Sequence, residues 1–390
     1  MVPSPNRSAA RLQFLDAARG VTMFFVLLSH FGLLYFINPD QGTWRDALVR
    51  IGMIATPTFM ILSGAVLGFH HRVTQPDFAR IRTRYIDRGL FLLLIGHPLI
   101  AFAVRRTERG AIELYSTDVI GFAMIVGALM VPRVRPWPRL GASAGVYLAS
   151  WLGVYFWNPG TIGAETAKEL LVGSLAPTAL MASTFPLAPW FAVYLASSVL
   201  GERLALTTRR GAIAQGGREL ALFGASGVSG MIGVKLGALL LGISPLWGHV
   251  TSNLLRVGQK SPPAPLYLLF YGGAGLLLIC GCLVIEKWQR FCQLFRWAAV
   301  CGEASLFVFL AHFYLFWIGL YYLAPGGVIS GFAIFACSTI SLALAAAIWQ
   351  RHGYNRVFTV RYGRAVRLSG ISSLCLEPVP VLWLEPRAKN

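Results

Sequence analysis

The chain has 390 residues, of which 56% are hydrophobic and 13% are charged, and its net charge is +18. Soluble domains contain about 25% charged residues, so this composition, with a mean hydropathy of +0.61, excludes an ordinary soluble globular protein. Apolar runs long enough to cross a bilayer recur along the whole sequence, which predicts an all-α integral membrane protein.

Ten transmembrane helices are predicted, in chain order, over residues 20–37, 48–69, 89–104, 115–131, 140–157, 185–200, 220–243, 266–285, 297–323 and 328–349. A half-inserted segment around residues 170–181 is expected before the sixth helix. Residues 1–350 are therefore predicted to form a single transmembrane domain, and residues 351–390 a basic cytoplasmic tail.

The basic residues predict the orientation in the bilayer. Most of the 34 Lys and Arg residues fall in the N-terminal segment, the C-terminal tail and the alternate loops on the same side. Because cytoplasmic loops collect Lys and Arg, we expect both termini in the cytoplasm, in a multi-pass protein of the plasma (inner) membrane. This distribution also accounts for the net charge without a nucleic-acid partner.

The first predicted helix carries a polar stripe formed by Asp16, Arg19 and His30. Arg19 and His30 are eleven residues apart, so they lie within about 20° of each other on one helix face and roughly 16 Å apart along its axis. Asp16 falls on the same stripe. Charged and polar groups in a membrane helix usually face the protein interior or a water-filled cavity, so the stripe indicates a functional site.

Each residue of this stripe has a predicted catalytic role and an alternative structural one. His30 lies near the middle of the membrane, where a neutral imidazole can act as a general base, or it is a core histidine bonded to a neighbouring helix. Arg19, at the cytoplasmic end, suits phosphate binding, or it reaches the lipid headgroups. Asp16 is expected to orient Arg19 or to cap the helix.

Two further histidines occur within predicted spans. His97 precedes Pro98, and the structural interpretation, in which a polar group satisfies the carbonyl that proline frees, is favoured there. His312 either lines a cavity or packs among aromatic side chains. Glu303 is nine residues earlier, about 180° around a continuous helix, so the two are predicted to face different ways.

Lys235 lies on a glycine-rich helix, where such spacing favours close helix packing. We expect its side chain to pair with Asp118 or Glu303. These three residues could instead relay protons or bind a substrate, which makes a multi-pass transporter or flippase the alternative function. The sequence contains no metal-binding motif or phosphate-binding loop, so no metal site is predicted.

Several segments resemble motifs of polytopic transmembrane acyltransferases. Residues 11–20 resemble the opening R-x-x-x-L-D-x-x-R-G, and Arg19 with His30 resembles the R-x10-H motif of the acyltransferase 3 family. Three later segments resemble motifs of the heparan-α-glucosaminide N-acetyltransferase-like branch: F-P-x-x-P-W at 185–191, K-x-P-P-S-x-x-Y-L-L at 260–269 and L-F-x-x-x-x-H at 305–314.

The resemblance implies a membrane acyltransferase that takes an acyl group from acyl-CoA, usually acetyl-CoA, without a tightly bound cofactor. The acceptor would be a hydroxyl or amine of a sugar, glycan or lipid-linked molecule. His30 would be the catalytic histidine and Arg19 would bind the donor or stabilise the motif. No histidine occurs between His30 and His70, so the chain follows the acyltransferase 3 arrangement at this point.

The expected binding residues follow from these roles. The phosphates of CoA are expected to meet cytoplasmic arginines, namely Arg19, Arg82, Arg84 and Arg88. The residues expected to bind the acceptor are Lys260, His249 and His312.

Overall fold

The computed structural model describes residues 12–36, 42–75, 77–105, 113–175, 185–240, 253–286, 292–320, 323 and 327–362. These residues are overwhelmingly helical, and no strand occurs among them. The predicted all-α class is therefore confirmed.

The helices, in chain order, are α1 (Gln13–Tyr35), α2 (Gly42–Gly52), α3 (Ala55–Val73), α4 (Phe78–Phe91), α5 (His97–Arg105), α6 (Ser116–Met130), α7 (Pro136–Phe156), α8 (Ile162–Leu171), α9 (Leu187–Arg209), α10 (Ile213–Leu240), α11 (Gly273–Glu286), α12 (Cys292–Glu303), α13 (Ser305–Tyr314) and α14 (Val328–Arg351). Short π-helical segments join α4 to α5, precede α11 and extend α13; they are Leu92–Gly96, Leu268–Gly272 and Leu315–Gly319.

The described residues include six helical stretches that are long and apolar enough to cross a membrane, namely Gln13–Tyr35, Gly42–Val73, Phe78–Val104, Ile213–Leu240, Pro265–Glu286 and Val328–Arg351. A seventh is formed if α12 and α13 count as one span, since they meet at a bend of 76°. Helix α6 is apolar but shorter. The protein therefore has the composition of a multi-pass membrane protein.

A helix lies at each of the ten predicted positions, but α7 and α9 do not meet the same length and hydropathy standard. The count of ten spans therefore stays a prediction. Helix α8 ends at Leu171, at the start of the predicted half-inserted segment, and residues 176–181 of that segment fall outside the described residues.

Helix α1 is the centre of the fold. Its first half packs against α3 and α11 around Phe14, and its second half packs against α13 and α14 around Phe31. Glycines bring α12 directly onto its first turns: a Cβ at Gly20 would lie 1.9 Å from the carbonyl oxygen of Ala298, and one at Gly302 would lie 1.7 Å from that of Asp16. Only a residue without a side chain permits this approach.

The predicted close packing of the glycine-rich helix α10 occurs over its first half only. Gly224 and Gly227 pack against the backbone of Gly273 and Leu269. Further along α10, a Cβ at Gly233 would meet no atom within 4 Å. Close helix packing therefore explains the early glycines of α10 and leaves the later ones on an open face.

Candidate functional site

One face of α1 borders a cavity of about 720 Å³. Arg19, Val26, His30 and Leu33 line it at intervals of seven, four and three residues, which follow one side of a helix, and Ser29 lines it beside them. Arg19 and His30 therefore share a face, as their separation predicts, and that face is turned towards a cavity inside the protein.

Basic side chains line two parts of the cavity. We call the end lined by Arg19, Tyr85 and Arg88 the arginine end. The opposite end, the lysine end, is lined by Lys260 and Phe185. His30 lines the same cavity and lies within electrostatic range of Lys260.

His30 forms a direct pair with His312 of α13. Nδ1 of His30 lies 2.8 Å from Nε2 of His312, and the two rings stack with their centroids 5.0 Å apart. His312 is 0% exposed. Phe313 and Trp317 flank His30, with ring centroids 5.4 and 5.3 Å away. His312 therefore packs behind the cavity-lining histidine, inside an aromatic shell.

A break between α12 and α13 creates this arrangement. Ala304 interrupts the helix, and the two segments meet at 76°. Glu303 lines the cavity just before the break, while His312 lies behind His30 after it. The sequence argument assumed one continuous helix through Glu303 and His312, and that assumption is wrong.

Arg19 and Asp16 form an ion pair within the first turns of α1. Nη1 of Arg19 donates to Oδ1 of Asp16 over 3.0 Å, and the two side chains are 25% and 6% exposed. No side-chain hydrogen bond caps the start of α1. Asp16 therefore orients Arg19, which is the first of the two predicted roles.

Three arginines that were predicted to bind the CoA phosphates lie on α4, and they occupy different environments. Arg88 lines the cavity beside Arg19, whereas Arg84 is exposed on the protein surface. Residues 84 and 88 are four apart and share a helix face. Arg82 lies on another side of α4 and is buried, lining neither the cavity nor the surface around Arg84.

Residues after α14 complete the wall of the cavity. Asn355 lines the cavity, and its Nδ2 donates to the carbonyl oxygen of Glu303 over 3.1 Å. The Glu303 carboxylate accepts from the side-chain amide of Gln350. The sequence assigned Asn355 to a separate tail, but in the structure it belongs to the site.

The same segment is fastened to α4. The Thr359 hydroxyl donates to Oδ2 of Asp87 over 2.5 Å, and the Tyr362 backbone N–H donates to Oδ1 over 2.7 Å. Phe358 is buried, with its ring centroid 5.3 Å from that of Phe91. One carboxylate and one aromatic ring thus hold residues 358–362 in place.

Lys260 is the cationic residue of the lysine end. Its Nζ lies 4.7 Å from the centroid of the Phe185 ring, and it is within electrostatic range of His30. Burial lowers the pKa of Lys260 to about 8, because a low-dielectric environment disfavours the charged form. His249, the other loop residue predicted to bind the acceptor, lies outside the described residues.

The intramembrane acids do not pair with Lys235. Oδ2 of Asp118 lies 2.9 Å from Nδ1 of His97 and accepts from the Tyr115 backbone N–H over 2.7 Å. Lys235 is exposed on α10, and Glu303 is bonded to Gln350, so the predicted pairing of Lys235 is wrong. His97 thus contacts a helix-capping carboxylate, and the satisfaction of the carbonyl that Pro98 frees stays a prediction.

A buried charge cluster was missed by the sequence analysis. Arg139 of α7 is 0% exposed. Its Nη2 donates to Oε1 of Glu202 over 2.5 Å, and its Nη1 donates to Ser198 over 3.0 Å. Nδ1 of His71 lies 2.9 Å from the same Glu202 oxygen. The sequence placed Arg139 in a cytoplasmic loop, and the single available signal was a lone acid on apolar α9.

No metal centre is evident in the described ranges, where no group of three or more His, Cys, Asp or Glu side chains is arranged to hold a metal ion. The site is thus built from an imidazole pair, an arginine end, a lysine end and a carboxylate.

Comparison with known families gives one match. The family described as heparan-alpha-glucosaminide N-acetyltransferase, catalytic, matches residues 11–228, which is more than half of the chain. The matched part begins just before α1 and ends within α10, so it contains Arg19 and His30 but neither Lys260 nor His312. No curated protein matches the chain.

Proposed function

The chain belongs to the heparan-alpha-glucosaminide N-acetyltransferase catalytic family, and on this basis we propose that it transfers an acyl group, most simply acetyl, from cytosolic acyl-CoA to an acceptor. The acceptor is a hydroxyl or amine of a sugar, glycan or lipid-linked molecule. We propose further that it spans the plasma membrane ten times with both termini in the cytoplasm, an orientation supported by the distribution of its basic residues.

One observation carries this proposal: a single cavity joins the arginine end, His30 and the lysine end. Acyl transfer across a membrane needs a place for an anionic donor, a base, and a place for the acceptor. The cavity brings the arginines, His30 and Lys260 together in one space. Arg19 and His30 are roughly 16 Å apart along the helix axis, a separation that suits the long pantetheine arm of CoA.

The arginine end is the proposed donor side. Arg19, held by Asp16, and Arg88 both line the cavity there. Guanidinium groups bind phosphate oxygens through paired hydrogen bonds. The pyrophosphate of CoA is therefore proposed to lie against Arg19 and Arg88, with the thioester extended towards His30.

His312 is proposed to fix the tautomer of His30. Nδ1 of His312 is buried and faces the carbonyl groups of Val308 and Phe309 without closing a hydrogen bond of full geometry. Carbonyl oxygens only accept, so they favour a proton on this Nδ1. Nε2 of His312 is then the acceptor for Nδ1–H of His30, which leaves Nε2 of His30 as the basic nitrogen.

The proposed reaction is a direct acyl transfer. Nε2 of His30 takes the proton from the acceptor hydroxyl or amine as its oxygen or nitrogen attacks the thioester carbonyl carbon. The carbon–sulfur bond then breaks, an ester or amide is formed, and the CoA thiolate receives the proton. Because His312 is buried behind His30, we assign it a positioning role and not the acceptor-binding role that the sequence suggested.

The lysine end is the proposed acceptor side. Phe185, Tyr115 and Trp317 line the cavity with Lys260. Aromatic rings offer flat apolar surfaces, and a partly buried ammonium group attracts acceptor oxygen atoms or anionic substituents. This combination supports a sugar-like acceptor.

Acetyl transfer from labelled acetyl-CoA by the purified protein in lipid nanodiscs tests the proposal. We expect CoA and acetyl-CoA to raise the melting temperature, and a deletion strain to lack an acetyl group on an envelope glycan or lipid, as read by mass spectrometry. Absence of CoA binding together with substrate uptake into proteoliposomes would overturn the proposal in favour of a transporter.

A further inference from the structure

A second concave surface lies at the junction of α3 and α4, outside the main cavity. It is a notch of about 360 Å³, lined among others by Thr74, Gln75, Asp77, Arg80, Ile81 and Arg84. Arg80 and Arg84 are four residues apart on α4, so both guanidinium groups project from one helix face. The mechanism proposed above gives this basic notch no role.

Partly buried hydrogen bonds hold the α3 side of the notch. Nε2 of Gln75 lies 3.0 Å from Nε2 of His71, and His71 is bonded in turn to Glu202, which is bonded to Arg139. The Thr74 hydroxyl donates to the carbonyl oxygen of His70 over 2.7 Å. His70 and His71 therefore hold Thr74 and Gln75 in the wall of the notch.

The notch is connected to the arginine end through His70. Nδ1 of His70 lies 2.9 Å from the hydroxyl of Tyr85, which lines the main cavity. Arg19 of the cavity and Arg84 of the notch are both within electrostatic range of the His70 ring. A molecule whose phosphates contact Arg19 and Arg88 thus has this notch beside it.

We propose that the notch binds the 3′-phosphorylated adenosine end of the acyl-CoA donor, an inference that rests on the proposed function. With the thioester at His30 and the pyrophosphate at the arginine end, the nucleotide must lie beyond Arg19, outside the main cavity. Arg80 and Arg84 bind the 3′-phosphate, while Ile81 packs against the base. The Asp77 carboxylate accepts from the ribose hydroxyl, as acidic residues do in other nucleotide sites.

Anionic lipid headgroups share the phosphate chemistry of this nucleotide, so the experiment must separate the two sources. The probes are acetyl-CoA and acetyl-dephospho-CoA, which lacks only the 3′-phosphate. kcat and KM are measured for both donors with the wild type, Arg80→Ala, Arg84→Ala and the double variant. The measurements are made in nanodiscs of neutral lipid and repeated with anionic lipid. Arg133→Ala removes another exposed arginine, which bonds to the nearby Leu129 carbonyl, and serves as the control.

We expect the wild type to prefer acetyl-CoA through a lower KM, by roughly tenfold, since a hydrogen bond to a charged group is worth about that factor or more. The double variant should lose this preference by a rise in KM for acetyl-CoA with kcat retained, in both lipids. Arg133→Ala should keep it.

Two results overturn the inference, and they are distinguishable. If the double variant retains the wild-type preference, or changes only with anionic lipid, the notch does not bind the 3′-phosphate, while the proposed function stands. If the wild type neither binds nor uses acetyl-CoA, the proposed function fails, and the inference fails with it.

Discussion

Nδ1 of His30 lies 2.8 Å from Nε2 of His312, although 282 residues separate the two histidines in the chain. One ring lines the cavity and the other is completely buried behind it. A buried acceptor that fixes the proton on one nitrogen of a histidine leaves the other nitrogen free to take a proton. The pair therefore supports the proposed role of His30 as a general base.

We expect His30→Ala to abolish acyl transfer while leaving the protein folded. Loss of a general base typically costs about 10²–10⁴ in rate. The measurement is kcat with acetyl-CoA, combined with size-exclusion chromatography in detergent. His352→Ala, which removes an exposed histidine distant in sequence from α1, is the control and should keep full activity. Full activity in His30→Ala would contradict the proposed mechanism.

His312 should act through His30 and not on the substrate. We expect His312→Gln to retain part of kcat, because its amide oxygen can accept from Nδ1–H of His30. His312→Leu has similar bulk but no acceptor, so kcat should fall about 10²-fold or more and the donor KM should change little. A pH–rate profile tests the role: the acid limb should shift in His312→Gln. Equal loss in both variants with an unshifted profile would indicate that His312 only fills space.

Arg19→Ala should raise the donor KM by about tenfold or more, because a charge-assisted bond to a phosphate is lost. Arg19→Lys should recover only part of the affinity, since an ammonium group cannot form the paired contacts. Asp16→Asn should give a smaller rise by loosening Arg19. Steady-state kinetics with acetyl-CoA are compared with the exposed Arg203→Ala control. An unchanged kcat and KM in Arg19→Ala would remove Arg19 from the donor site.

We expect the deprotonation of Lys260 to lower kcat/KM at alkaline pH. Burial lowers its pKa to about 8, so its positive charge is present below that pH and is lost as the pH rises through it. For an anionic or oxygen-rich acceptor, kcat/KM should therefore fall above about pH 8. Lys260→Arg should remove this fall, because a guanidinium stays charged, and Lys260→Met should be low at every pH. A wild-type limb that persists in Lys260→Arg would assign it to another group.

The buried Arg139–Glu202 pair should be a large contributor to stability. Arg139→Met leaves the Glu202 charge without its guanidinium partner inside the bundle. Breaking a buried pair in this way costs about 3–5 kcal/mol, which should appear as a clearly lower melting temperature. Arg139→Met with Glu202→Gln should recover part of the loss. A single variant that melts like the wild type would show that the cluster contributes little.

The local features of the site could be read from the sequence. The shared face of Arg19 and His30 follows from helical periodicity alone, and the pairing of Asp16 with Arg19 follows from their spacing of three residues. The same applies to the all-α class, because bilayer-length apolar runs leave few alternatives.

The features that were missed depend on contacts between distant segments. No local pattern joins His30 to His312, and the helix break at Ala304 contains no proline to announce it. Arg139 was assigned to a loop because it directly precedes the predicted span over residues 140–157, yet a proline at the first position of a helix marks a helix start. Helix α7 begins at Pro136, so Arg139 lies in its first turn and faces α9.

The residues that follow α14 limit how far the C-terminus of this protein can be truncated. A boundary drawn at Arg351, where the apolar sequence ends, would remove Asn355 from the cavity wall and Phe358 from its contact with Phe91. It would also leave both oxygens of Asp87 without the partners that Thr359 and Tyr362 provide. The smallest version that keeps the site intact therefore extends at least to Tyr362.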